Sequence, residues 1–162
     1  MSGRMRGGAL AKLLIGIPVG LLVLLALTLA FYEGRNAYWD WRVKQLCEKE
    51  GGIKVYEVIT LDAATYDSMR DQFGAFSVPS KKYALNAPIF QTSMQTEIRR
   101  WNPSVWQIES SIQRTADGKV LGTYTSFGRV GGDLVALHPS SFGCPRQGPD
   151  LLQATIKRGE TK

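Results

Sequence analysis

A run of twenty uncharged residues, 13–32 (LLIGIPVGLLVLLALTLAFY), constrains this chain more than any other feature. It is about the length an α-helix needs to cross a bilayer. Arg4, Arg6 and Lys12 precede it with no acid among them, and Tyr32, Tyr38, Trp39 and Trp41 stand at or beyond its end. A basic flank, an apolar span and an aromatic belt follow in the order of the positive-inside rule. The expectation is a cytoplasmic N-terminus over 1–12, a transmembrane helix over 13–32, and the rest of the chain on the periplasmic side of a bacterial inner membrane. A cleaved signal peptide ending near Thr28-Leu29-Ala30 is the competing reading. The run is longer than the usual signal-peptide core of about 7–15 residues, which favours retention as a signal-anchor. No cysteine follows it within a few residues, so a lipoprotein anchor is not expected.

Removing the chain through Tyr32 leaves 130 residues, enough for one hydrophobic core. The net charge is +6, and half of it lies before the span; the outer part has 17 basic and 14 acidic residues. The basic residues are scattered, with pairs only at Lys81-Lys82, Arg99-Arg100 and Lys157-Arg158. Without a basic stripe there is no nucleic-acid partner to expect.

The helix is expected to continue past the span. Between Glu33 and Glu50 there is no proline, and Trp39, Val43, Leu46 and Cys47 recur at i, i+4, i+7 and i+8, one helical face. Gly51-Gly52 supplies the stop, because glycine takes the left-handed conformation that closes a helix. A continuous helix over 13–50 is about 57 Å long at 1.5 Å per residue. The apolar stripe is read mainly as the side packed in the domain's own core.

Beyond Gly52 the period turns extended. Residues 53–61 (IKVYEVITL) are rich in β-branched side chains and predict one strand. Asp62 is a plausible N-cap for a short helix over 63–73 closed by Gly74. Residues 75–88, with two prolines and no period, predict an irregular surface connection. In 105–114 (VWQIESSIQR), Trp106, Ile108 and Ile112 alternate with Gln107, Glu109, Ser111 and Gln113, as in a half-buried antiparallel strand. Ala116-Asp117-Gly118 predicts a turn into a partner strand over 119–127, and Asn102-Pro103-Ser104 a turn from a strand over 90–101. The expected class is α+β: one N-terminal transmembrane helix continuing into a small periplasmic domain, 33–145, with an antiparallel β-meander and one disulfide. Residues 53–61 are available as a fourth strand. Residues 146–162 read as a polar C-terminal tail.

Cys47 and Cys144 are the two cysteines, and in an oxidising compartment an isolated pair forms a disulfide. The alternative, a redox or metal pair, lacks both a C-x-x-C and enough histidines, since there is one. No cofactor and no metal are expected.

Three segments carry a family resemblance. Leu46-Cys-Glu-Lys-Glu-Gly-Gly-Ile-Lys-Val-Tyr-Glu57 opens with C-x3-GG-x2-VYE, Asp117-Gly-Lys-Val-Leu-Gly122 follows, and R-x-GGD…HPSSF-x-CP spans Arg129 to Pro145. In these motifs the chain resembles a family of small uncharacterised proteobacterial envelope proteins. The likeness covers most of 46–145, with 63–88 departing from the pattern. It implies fold and compartment, transfers no catalytic residue, and supports the Cys47–Cys144 pairing because the first and last motifs carry one cysteine each.

The closing motif also offers the one catalytic constellation worth weighing. His138 is the sole histidine, with Ser140, Ser141 and Asp133 nearby. A serine hydrolase needs these groups in one hydrogen-bonded line with an oxyanion hole, and no G-x-S-x-G, S-x-x-K or H-E-x-x-H occurs. The favoured reading is structural: Gly131-Gly132 makes a tight turn, Asp133 caps backbone amides, and His138, Pro139 and the serines shape the loop that delivers Cys144. Trp39, Trp41, Trp101 and Trp106 are candidates for a contact surface.

The first expectation for function is thus a non-enzymatic, membrane-anchored accessory or stabilising subunit of an envelope complex, partnered by another membrane or periplasmic protein. A free-standing periplasmic binder or exclusion protein is the alternative. A hydrolase using His138 and a pilin-like subunit stand further out; the pilin outline lacks the expected processing junction and the glutamate inside the apolar run.

Overall fold

The computed structural model describes residues 7–71, 74–84, 86–134, 139–144 and 150–160, with side chains from Ile15 onward. Helix α1, Gly7–Glu50, is continuous over 44 residues and about 66 Å. Its most apolar 18-residue window has a mean hydropathy of 2.3 and none of it is buried inside the molecule. Such a helix is long and apolar enough to span a membrane. It ends where the glycines stand: Gly51 donates to the Cys47 carbonyl at 2.9 Å, and Gly52 takes φ +101°.

A sheet follows. Strands β1 (Gly52–Val55), β3 (Ile89–Arg99), β4 (Ser104–Arg114) and β5 (Val120–Val130) run antiparallel in the order β1-β5-β4-β3. The turn at Gly118, φ +69°, joins β4 to β5 as the Asp-Gly pair predicts. The strand β6 (Ser141–Cys144) also pairs with β5. Thus β1 takes Gly122–Thr125 and β6 takes Phe127–Val130 along one edge, end to end.

Both faces of this sheet are covered, at opposite ends. On one face Val105 and Phe127 pack with Val43 of α1, and Trp39, Leu46 and Cys47 lie around them. That is the helical stripe read from the sequence, and it faces the domain. On the other face Ile89, Ile112 and Leu121 pack with Met69, Leu151, Leu152 and Ile156. β4 serves both cores because neighbouring strand residues point to opposite faces.

Three expectations need correction. Residues 53–61 are not one strand: the amides of Tyr56 and Glu57 both reach the Leu121 carbonyl, at 2.9 and 3.0 Å, and the chain leaves the sheet there. Glu57 is held at that bend by Lys119, 2.6 Å away, and by Arg114. The remainder, β2 (Ile59–Leu61), pairs in parallel with β7 (Ile156–Arg158). The helix after Asp62 is also shorter, α2 spanning Ala63–Ser68. Asp62 caps it through Thr65 N at 2.9 Å, but the chain then folds back so that Ser77 N reaches Met69 O at 2.8 Å. Gly74 takes φ +79° in that return, and Phe73 lies outside the described residues. Finally, the C-terminal segment is no tail. Asp150 caps α3 (Leu151–Thr155), whose Leu151 and Leu152 are buried, and Ile156 completes the second core.

Candidate functional site

The strongest concentration of specific polar contacts lies where α1 meets the loop after β5. Along α1, Asn36, Asp40, Val43 and Cys47 follow at i, i+4, i+7 and i+11, so one face presents two polar residues and then two apolar ones. β5 runs antiparallel to that face. Phe127 packs at the level of Val43, Arg129 reaches Asp40, and Gly132 lies against Asn36.

Arg129 is the centre of the joint, with its side chain 3 % exposed. Its Nε donates to Asp40 Oδ1 at 2.5 Å and Nη2 to Oδ2 at 3.4 Å. Its Nη1 donates to the Gly131 carbonyl and, at 3.1 Å, to Ser140 Oγ. A buried guanidinium is tolerable only when paired and hydrogen-bonded in this way.

The glycine pair makes the turn expected of it, with φ +80° at Gly131 and +103° at Gly132. Gly131 N donates to Ser140 O at 2.8 Å, and Gly132 N donates to Asn102 Oδ1 at 2.5 Å. From the helix side, Arg35 Nη2 donates to Gly132 O at 2.8 Å while its guanidinium lies over the Tyr32 ring, 4.6 Å from the centroid. A Cβ on Gly132 would meet Asn36 Oδ1, so only glycine fits between helix and loop.

Asp133 does cap backbone, as expected. Its Oδ2 accepts from Ser140 N at 2.6 Å and its Oδ1 from Asn36 Nδ2 at 3.3 Å. Hydrogen bonding from the Ser140 backbone, then from its hydroxyl, with help from the charge of Arg129, holds the Asp133 carboxyl below its ordinary value. A general base is tuned the other way, toward the working pH. His138 lies outside the described residues, and Pro139 is exposed at the loop.

The disulfide forms between Cys47 and Cys144, with 6.1 Å between Cα atoms. It closes the joint at the end farther from the apolar span.

The four tryptophans are not one surface. Trp39 packs toward the helix-side core, with the Arg99 guanidinium over its ring at 4.5 Å. Trp106 lies across Gly128, whose missing Cβ makes room for the indole. Trp41 and Trp101 are exposed, Trp101 to 79 %. A cleft of about 300 Å³ runs between α1 and the strands, lined by Trp39, Arg42, Leu46 and Ile98. Among the described residues no three His, Cys, Asp or Glu side chains converge as a metal site.

Arg35, Asn36 and Asp40 were not singled out from the sequence, and Asn102 and Arg129 were read only as a turn residue and as the start of a motif. The available signal was register: Asn36 and Asp40 continue the stripe of Val43 and Cys47 down the same helical face. No protein-family model, curated protein or solved structure matches this chain.

Proposed function

We propose that this is a non-enzymatic, single-pass envelope protein, with its N-terminus in the cytoplasm and its domain in the periplasm. In this reading it is an accessory or stabilising subunit of an inner-membrane complex. The observation that carries the reading is a span and domain joined without a flexible linker: α1 runs unbroken from Gly7 to Glu50 and is clasped to the sheet domain from Arg35 to Cys47. A free-standing binder gains by sampling the space around its anchor, for which a flexible linker serves. A subunit seated against a membrane neighbour gains from fixed height and orientation, because less freedom is lost on association. The basic flank before the span supports the orientation. The disulfide suits an oxidising compartment. The resemblance read from the chain's motifs, to small proteobacterial envelope proteins, belongs to the same proposal.

The test is affinity capture from gently solubilised membranes, with the parent chain and with a variant carrying a short Gly-Ser insertion between Tyr32 and Glu33. The expected result is co-recovery of a defined membrane protein with the parent and loss of it with the insertion. Recovery of the parent alone across several detergents sinks the reading. Equal recovery with the insertion shows that rigidity is not what the partner requires.

A further inference from the structure

We propose that the turn between β3 and β4 is a second membrane contact, seating Trp101 and Arg100 in the headgroup layer of the bilayer that α1 spans. The proposal rests on the membrane reading given above.

The geometry follows from strand directions. β5 descends toward the apolar span as it runs from Phe127, beside Val43, to Gly132, beside Asn36. β4 is antiparallel to β5 and β3 to β4, so the β3–β4 turn lies at the lower end of the sheet. Asn102 of that turn is bonded to Gly132 N at 2.5 Å, and Gly132 O to Arg35 at 2.8 Å. The turn therefore stands level with Arg35 and Asn36. Asn36 is four residues past Tyr32, about 6 Å along the helix axis. A headgroup layer is about 5–7 Å deep on each side of the hydrocarbon. The turn lies within it.

The side chains presented there have the chemistry of that layer. Trp101 is the most exposed large apolar side chain of the described residues, at 79 %, and sits on a backbone that is held in place: Arg99 Nε donates to the carbonyls of Trp101 and Pro103, at 3.4 and 3.1 Å. The Arg100 side chain is 85 % exposed and pairs with Glu97 at 3.2 Å. On the other flank of the Gly132 turn Leu134 is exposed to 41 %. Indole is favoured at the lipid–water boundary on either side of a bilayer, and a guanidinium beside it can hydrogen-bond lipid phosphate. An ordered tip presenting a bare indole toward water has no such compensation. The contact would make a tripod of span, clasp and tip, and would fix the tilt of the sheet against the membrane.

The experiment uses the full chain in its own membrane, with a photoreactive residue introduced as Trp101→p-benzoylphenylalanine. Leu24→p-benzoylphenylalanine, inside the apolar run, and Met94→p-benzoylphenylalanine, about 17 Å up strand β3 from its lower end at Arg99, are the references. Illumination should give lipid adducts at Leu24 and Trp101 and none at Met94. A lipid adduct at Leu24 with none at Trp101 overturns the proposal and leaves the span reading intact. A protein adduct at Trp101 assigns the tip to a protein neighbour and also overturns it. Loss of the lipid adduct at both Leu24 and Trp101 removes the membrane reading itself. In vesicles containing brominated phosphatidylcholine, Trp101→Phe should abolish a share of the quenched tryptophan emission. Unchanged quenching in that variant counts against the contact.

Discussion

Replacing Gly132 with alanine puts a methyl group where Asn36 Oδ1 now stands, at a residue whose φ is +103°. Two costs combine. An L-residue forced into a Gly-only region of backbone space loses about 2 kcal/mol. Displacing the Asn36 amide then breaks its hydrogen bond to Asp133, worth about 1 kcal/mol. The expected loss is about 3 kcal/mol. Gly118→Ala supplies the calibration, because Gly118 has φ +69° with nothing near its missing Cβ. It bears only the left-handed penalty, about 1 kcal/mol. A double-mutant cycle isolates the helix–loop part: Asn36→Ala alone should cost about 1 kcal/mol, and Gly132→Ala in that background about 2, giving a coupling near 1 kcal/mol. The measurement is guanidinium unfolding of the full chain in mild detergent, followed by tryptophan fluorescence. If Gly132→Ala costs no more than Gly118→Ala, or if the cycle shows no coupling, the loop does not press on α1 as described.

Other contacts give comparable tests. Asp40→Ala leaves the buried Arg129 guanidinium without its carboxylate and should cost about 3 kcal/mol, whereas the paired apolar replacement Asp40→Leu with Arg129→Met should recover much of it; a pair no better than the single variant refutes this. The Cys47–Cys144 bridge spans 97 residues, so its reduction should lower unfolding stability by about 4–5 kcal/mol in the chain-entropy model. A thiol label should change the protein's mobility only after reduction. The Glu57 carboxyl is held below its ordinary value first by its hydrogen bond to Lys119 and then by that to Arg114. A depressed carboxyl contributes stability above the unfolded-state pKa and loses it as pH falls through the folded value. Glu57→Gln should therefore unfold at lower denaturant than the parent near neutral pH, and the gap should close in acid; a constant gap would mean the charge is not what matters.

Much of this architecture was legible because its signals are local. The apolar run 13–32, the stripe from Trp39 to Cys47 and the Asp-Gly turn each depend on near neighbours in the chain, and each stands where it was expected. β4 is the antiparallel strand expected, but its buried residues, Val105 and Ile112, lie on opposite faces rather than on the Trp106–Ile108–Ile112 side alone. The failures share a cause, which is competition from distant residues. The break between β1 and β2 exists because Glu57 finds Arg114 and Lys119, far along the chain. The C-terminal segment reads as polar, yet Leu151, Leu152 and Ile156 suffice to cover a sheet face left open by α1. Asn36 and Asp40 look like ordinary solvent-facing helix residues until β5 brings Gly132 and Arg129 to them. A polar residue on a helix carries no local mark of the partner it will meet.

The spacing of these contacts decides what the clasp can do mechanically. A single bridge at Cys47 would let the domain pivot about the upper helix. Here the attachments at Arg35, Asn36, Asp40, Val43 and Cys47 extend over thirteen residues, about 18 Å of helix axis. Points separated that far along one face resist tilt away from the helix, and Arg35, about 100° round the helix from Asn36, adds resistance to rotation around it. Breaking any one leaves the others to define the axis, so loss of orientation requires failure at both ends. The Gly132 contact is the lower end and the disulfide the upper. Variants at either end alone should reduce stability while the domain keeps its seat, and only their combination should free it to swing.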